Sequence, residues 1–560
     1  MANLWNMAAS AFAAQGESII LQEIAFVLLL TIAALVAILI RRIRLPYTVA
    51  LVIVGLVLAL FPNFITLNIS SELILAVLVP PLVFEATLAI KWRDLRGDLP
   101  LVLLLAVGGT LLSTVIVGVL VFQFLDIPLL GALAFGALIS ATDPVAVVAF
   151  FKQLGVSRRL SILLEGESLF NDGVAVVVFN LAIAAAATTL ASKAAVSFNV
   201  LAAVGEFLRV SLVGLGVGLL LGFAVAYLVL RSIDDHLIET ATTVALAFGA
   251  YVAAEQLHAS GLLAVVAAGL VVGNVGLDRT SPTTRLTLDN FWEFMAFVAN
   301  SLVFLLIGIR IQLGQLVQFA VPIGVAVLAV LVSRAISIYL LTALHNRLTP
   351  ERLDVLPRYR HVMFWGGLRG AISLALALTI GGNLFGQTIA TEMQVMAFGV
   401  VLFTILVQGT TIEAIINRLG LVQKQPAAIE NQRRLAVVYA RQAGRRELNR
   451  LHAEGFLYHD LWQAMNGVYD EEIDDARAAL RDHLEMHPEL ERSMYLQTRA
   501  DVVKAERNAI SDAAARAFIS AEVQEELLIE MDARLAALDQ LLADDGGSLS
   551  EHGPAEGEDG

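Results

Sequence analysis

Long apolar runs alternate with short polar segments over the first three quarters of the chain. They fall at 22–40, 46–61, 70–90, 99–122, 128–151, 161–188, 207–230, 236–256, 260–276, 290–309, 317–344, 361–382 and 391–417. A helix needs roughly 20 such residues to cross the hydrocarbon core of a bilayer, so the set predicts about thirteen transmembrane helices. From 421 onward the pattern becomes amphipathic. "NQRRLAVVYARQAGRRELNRLHAEG" (431–455) ends on the helix-stopping Gly455, and a second long helical pattern runs from about 495 to 543. The final stretch, "DDGGSLSEHGPAEGEDG", lacks the apolar residues to order itself and reads as disordered. The expected organisation is an all-α membrane portion over 1–420, a helical soluble tail over 421–545 and a disordered terminus over 546–560.

Basic residues orient the crossings, because cytoplasmic loops collect Lys and Arg. The loops after predicted helices 1, 3, 5, 7, 9 and 11 hold 3, 3, 3, 1, 2 and 4 of them. The opposite loops hold only Lys193, with Arg209 and Arg310 at helix ends. The N-terminus is therefore expected outside and the tail in the cytoplasm. Thirteen crossings also allow six helices, one linker and six more, which places the second six upside down. That is the inverted-repeat plan of secondary transporters, whose sites lie on broken helices near the midplane. The fifth helix of each half is interrupted as the plan requires. Helix 5 contains "SATDPVAV" (140–147), where Pro144 cannot donate to the helix ladder, and helix 12 contains "WGGLRGAIS" (365–373).

Composition agrees: 58% of the 560 residues are apolar, mean hydropathy is +0.76 and only 16% are charged. Residues 421–560 hold 15 Lys+Arg against 28 Asp+Glu and so carry nearly all of the net charge of −14. Cysteine is absent, which excludes disulfides, thiolate metal sites and thiol catalysis. No Lys or Arg precedes Arg41, so the first run reads as a retained helix rather than a cleaved signal.

Charges inside the apolar runs point to chemistry, since an ionised side chain at the bilayer centre costs about 2.5–3.5 kcal/mol on insertion scales. Those that carry the reading are Glu85, Asp143, Glu165, Glu167, Asp172, Arg334 and Arg369. Acids exceed bases, so some acid must hold a proton or a cation from outside the chain. A site that alternates between the two exchanges protons for cations. Ser168 and Asp172 stand one helical turn apart, with Asn171 between them in sequence, so their oxygens can converge. Backbone freed by Pro144 would add carbonyls near Thr142, beside Asp143. Carboxylate, hydroxyl and carbonyl oxygens suit a hard cation such as sodium. Taken alone, Ser168 and Asn171 could equally serve interhelical hydrogen bonds, and Glu165 could reach the inner headgroups.

Four segments, "ATDPVAV", "GESLFNDG", "PPLVFEATL" and "GGLRGAISLALAL", resemble the signatures of the monovalent cation:proton antiporter superfamily, in its branch of NhaP-like and NHE-like sodium/proton exchangers. The resemblance spans residues 20–420. It implies a homodimer with core and dimerisation helices, crossing broken helices 5 and 12, and alternating access. It makes Asp172 the proton and cation carrier, with Asn171, Ser168, Thr142, Asp143 and Glu85 around the cation. Glu167 resembles the acid that pairs with an arginine, placed at Arg334, with Arg369 balancing Asp143; the two arginines could be exchanged. Adjacent Asn-Asp marks the electroneutral branch, so one-for-one exchange of Na+, or of Li+ or K+, for H+ is expected. A bacterial inner membrane is the expected location. No cofactor, enzymatic reaction or nucleic-acid partner is implied.

Gly214, Gly218 and Gly222 in "GLGVGLLLG" form a small-residue ridge suited to a dimer contact or to packing within one subunit. "HLEMH" (483–487) puts two histidines one turn apart, without the glutamate placement of a metalloprotease, and reads as a solvated helix face. His345 and His361 on the inner loop are candidates for a separate proton sensor. A cation channel, or an ion sensor signalling through the tail, is the rival reading.

Overall fold

Each predicted apolar run carries helix in the computed structural model, which describes residues 24, 26–40, 47–60, 74–192, 200–232, 235–277, 280, 282–310, 313–350, 354–422, 426–516 and 518–548. No strand occurs among them. Lipid cannot satisfy backbone N–H and C=O groups, so apolar runs of this length close their bonds internally as helices. Among the described residues eight helices are long and apolar enough to cross a membrane, including Trp92–Phe124, Arg158–Thr189 and Gln387–Arg418. Four more apolar helices are shorter: Phe26–Ile40, Tyr47–Ala59, Ile74–Ala89 and Gly261–Gly276. The run over 361–382 is broken within 365–373 as expected, into two half-helices, Pro357–Trp365 and Ala371–Thr379. Several helices outrun their apolar stretch. Pro282–Arg310 begins before the predicted 290, because polar residues at a membrane surface continue a helix as readily as apolar ones.

The chain divides into two compact units, Met1–Gln423 and Lys424–Gly560. In the first, glycines let helices approach to backbone contact. A Cβ on Gly136 would stand 2.4 Å from Thr114 O, and one on Gly55 would stand 2.6 Å from Leu305 O. These contacts join Leu129–Ser140 to Thr110–Phe124 and Tyr47–Ala59 to Pro282–Arg310. The Gly214/Gly218/Gly222 ridge is used within the chain. Cβ atoms there would lie 2.6 Å from Ser260 O, 2.1 Å from Ala264 O and 3.1 Å from Ala268 Cα, so the ridge packs on Gly261–Val271 and is not a dimer surface. Asp235 caps His236–Gln256 by accepting from the N–H groups of Leu237 at 2.9 Å and Ile238 at 3.1 Å. Those bonds hold its carboxyl below the ordinary range.

The second unit contains two antiparallel helix pairs, Pro426–Ala453 with His459–Glu485 and Pro488–Ala515 with Ala521–Ser548. The single pattern read over 495–543 is thus two helices, Pro488–Ala515 and Ala521–Ser548, because the amphipathic period carries on from one helix to the next although the chain reverses direction between them. Residues 546–548, read as disordered, continue the last helix; the rest of that terminus lies outside the described residues. Arg441 pairs with Glu472 at 2.8 Å and Arg445 with Asp470. His483 corrects the expectation of a solvated face. It is buried, with Nε2 2.8 Å from Ala427 O, because the end of its helix folds back on the start of the preceding one. Among the described residues no group of three or more His, Cys, Asp or Glu could hold a metal ion.

Candidate functional site

Pro144 ends one helix and starts the next. Leu129–Ser140 stops before Ala141, and Val145–Leu154 begins after Pro144 and terminates at Gly155, whose φ of 67° is the left-handed conformation favoured by glycine. Residues 366–370 separate the second pair of half-helices. The two extended segments cross and bond to each other. Asp143 N–H donates to Leu368 O at 2.8 Å, and Ser373 Oγ donates to Ala141 O at 3.3 Å. The crossing is tight enough to require glycine twice. A Cβ on Gly370 would meet Asp143 Oδ2 at 2.4 Å, and one on Gly367 would meet Arg334 Nε at 2.6 Å. Four helix ends therefore converge here, bringing their partial charges together. Asp143 Oδ1 accepts the Val145 N–H at 3.0 Å, at the positive end of its half-helix.

The long helix Arg158–Ser192 takes up the backbone groups that the break leaves open. Asn171 Oδ1 accepts the Thr142 N–H at 3.2 Å, while Asn171 Nδ2 donates to Thr142 Oγ1 at 2.7 Å. Ser168 Oγ donates to Thr142 O. One turn of helix thus holds Thr142 by three bonds and presents Asp172 beside Asp143. Neither aspartate enters an ion pair within 4.0 Å among the described residues. A cavity of about 400 Å³ opens onto them, lined also by Glu85, Glu165 and Ser168. Its size admits hydrated ions, and among the described residues its wall offers carboxylate, hydroxyl and carbonyl oxygens but no soft ligand.

Glu167 turns away from the cavity. Its carboxylate, 2% exposed, takes both terminal nitrogens of Arg334, 7% exposed: Nη1 reaches Oε1, and Nη2 lies 3.0 Å from Oε2. Arg334 Nη2 also donates to Met363 O at 3.0 Å, joining Ala320–Leu348 and Arg158–Ser192 to the half-helix Pro357–Trp365. Arg369 is not in an ion pair with Asp143. Its Nη1 donates to Gly367 O at 3.2 Å, and its backbone N–H donates to Thr404 Oγ1 at 3.1 Å. His361, exposed, has Nδ1 2.6 Å from Tyr339 Oη, whereas His345 is buried; neither lines the cavity.

Two acidic residues escaped the sequence reading. Glu293 lines the cavity from the wall formed by Pro282–Arg310, with Asn300 two turns further along the same face. Glu293 lies inside the predicted run 290–309, where the seven-residue spacing to Asn300 was the available signal. Glu239 is buried in the first turn of His236–Gln256, where an acid looks like an ordinary cap. Thr284 Oγ1 donates to it at 2.5 Å, away from the cavity.

Residues 27–418 match the family described as sodium/hydrogen exchanger, transmembrane. The chain is 43% identical over 380 residues to the Na+/H+ antiporter ApNhaP of Aphanothece halophytica, covering 68% of this chain and 70% of the relative. It is 33% identical over 516 residues to the Na+/H+ antiporter NhaG of Bacillus atrophaeus, covering 90% and 95%. The solved structure of the sodium proton antiporter MjNhaP1 from Methanocaldococcus jannaschii aligns with a TM-score of 0.59 at 19% identity, over 70% of this chain and 97% of that one, which shows a shared fold.

Proposed function

This chain belongs to the sodium/hydrogen exchanger family, and from that premise we propose that Asp172 is the single carboxylate that holds a proton and a monovalent cation in turn. The protein is an integral membrane antiporter exchanging Na+ for H+. A channel is not favoured, since the relatives are named antiporters.

The observation that carries the assignment is the placement of Asp172 on the cavity wall at the crossing, next to backbone freed by the break. The neighbouring side chains divide the work. Asn171 uses both ends of its amide on Thr142 and so holds the broken helix in place. Ser168 donates its proton to Thr142 O and keeps lone pairs for a cation. Asp143 and Thr142 complete the oxygen set, and Glu85 and Glu165 draw cations into the cavity from its lining. Glu167 and Arg334 neutralise each other and tie the half-helix to the core. One carboxylate carrying one charge either way makes each cycle electroneutral.

The same reading takes thirteen crossings in two inverted halves, with the N-terminus outside and the tail in the cytoplasm; the alternation of basic loops supports it. It also takes a homodimer in a bacterial inner membrane. Only 22% of the apolar window of Leu201–Leu228 is buried within the chain, which leaves a face for lipid or a second copy.

Purified protein in liposomes tests the assignment. Sodium added to one side should drive protons the opposite way, and Asp172→Asn should abolish that movement while the protein stays folded and monodisperse. Sodium-driven proton movement retained by the variant would falsify the role of Asp172.

A further inference from the structure

Arg334 has its carboxylate partner; Arg369 does not. It is 2% exposed and enters no ion pair within 4.0 Å among the described residues. Its Nη1 bonds only to Gly367 O, and its Nε is buried with no partner. Among the described residues its positive charge is therefore the one left without a bonded carboxylate beside Asp172.

The wall against Arg369 contains one of four π-helical turns among the described residues. Helix Gln387–Phe403 continues into a π-helical turn, Thr404–Gln408, before Gly409–Arg418 resumes. Such turns widen the helix by one residue and redirect the side chains they carry. The first residue of this turn, Thr404, accepts the backbone N–H of Arg369. Its last, Gln408, is 2% exposed and has a buried Oε1 with no partner. A Cβ on the next residue, Gly409, would lie 3.6 Å from Val49 Cγ2 and 3.8 Å from Leu368 Cδ1, so this end of the turn packs against both Tyr47–Ala59 and the Arg369 segment. One buried donor and one buried acceptor thus stand unused on facing elements, an arrangement that native interiors rarely keep.

We propose that the turn Thr404–Gln408 is a bracket for Arg369 and that Gln408 is a positioning residue for exchange: Thr404 holds the arginine's backbone, and Gln408 offers an acceptor to the arginine's Nε–H. The bracket fixes where the uncompensated charge sits relative to Asp172. This rests on the reading of Asp172 as the shared carboxylate. The other charges facing Arg369 are the bonded pair Arg334 and Glu167, then Asp172 and, beside it, Asp143. Arg358, Arg360 and His361 lie on its preceding half-helix, and Glu392, Glu413 and Arg418 lie on the helix that carries the turn.

A positive charge near Asp172 opposes proton and cation binding alike, so its removal has a defined signature. Apparent sodium affinity plotted against pH should rise along an acidic limb and then level off. Weakening the field tightens the plateau and moves the break to higher pH, while the acidic limb itself stays in place because both ligands gain equally. Gln408→Glu sets a carboxylate against Arg369. The break is expected about one pH unit higher and the plateau affinity about tenfold tighter. Gln408→Leu removes the acceptor without adding charge and is expected to change plateau affinity by about twofold or more; it decides the matter alone if the glutamate variant does not fold.

The measurement is initial rate against sodium concentration at several pH values in liposomes, with the pH difference held fixed and melting temperature recorded alongside. A break and plateau unmoved in the folded variants, with only a lower maximal rate or melting temperature, overturn the role of Gln408 while leaving Asp172 untouched. Affinity independent of pH in the unaltered protein overturns the shared carboxylate first, and the bracket with it.

Discussion

At the scale of single residues, the site is organised by what each carboxylate touches. Glu167 and Asp172 are five positions apart on one helix, yet one is bonded to an arginine inside the core and the other faces a cavity. Removing half of a buried pair strands the remaining charge at a cost of about 3–5 kcal/mol. Glu167→Gln or Arg334→Ala should therefore each lower the melting temperature in detergent clearly, and the double change should cost less than the two single changes added together. Differential scanning fluorimetry of the three variants checks this, and equal melting temperatures would remove the structural role. The glycines of "WGGLRG" were visible in sequence as a helix break. That two of them are needed to admit Asp143 and Arg334 was not, because those side chains arrive from other parts of the chain.

At the scale of elements, the decisive contacts are close helix crossings at small residues. The Val200–Leu228 helix rests on Gly261–Val271 through Gly214, Gly218 and Gly222, with the backbone of Ala264 where a side chain on Gly218 would stand. Gly218→Val should force these helices apart and destabilise the protein by about 1–3 kcal/mol or more, since the clash is with backbone. Gly216→Val, with nothing within 4 Å of its Cβ position, should leave the melting temperature nearly unchanged. The small-xxx-small pattern announced a close crossing in the sequence, but not its partner. Likewise the amphipathic tail announced helices, while the burial of His483 followed only from the hairpin that closes over it.

At the scale of the whole molecule, a single shared carboxylate makes proton and cation compete. Below the break, apparent sodium affinity should weaken about tenfold per pH unit, as one-site linkage requires. The maximal rate at saturating sodium should change little over that range, since enough cation displaces the proton. A maximal rate that collapses on acidification while affinity stays constant would point to a separate proton sensor, with His345 or His361 the first to test. Electroneutrality has its own check. Clamping the liposome potential with potassium and valinomycin should leave the sodium-driven rate unchanged, provided potassium is not transported. Clear acceleration by an imposed potential would mean that a second titrating group, Asp143 or Glu85 first, moves charge in the cycle.

Much of this protein was determined by local sequence alone. Apolar length set the membrane helices, because backbone in lipid has few other solutions. Pro144 and the glycines at 366, 367 and 370 set the two breaks, and the four signature segments pointed to the family. What only the tertiary structure decided are contacts between distant positions, about which neither periodicity nor composition carries information. Thr142 meets Asn171 across 29 residues, Glu167 meets Arg334 across 167, and Ala141 meets Ser373 across 232. The same folding brought Glu293 into the cavity wall and placed Glu239 outside it. Burying a charge costs the same wherever it lies in sequence; which partner or cavity offsets that cost depends on the elements that the fold packs around it.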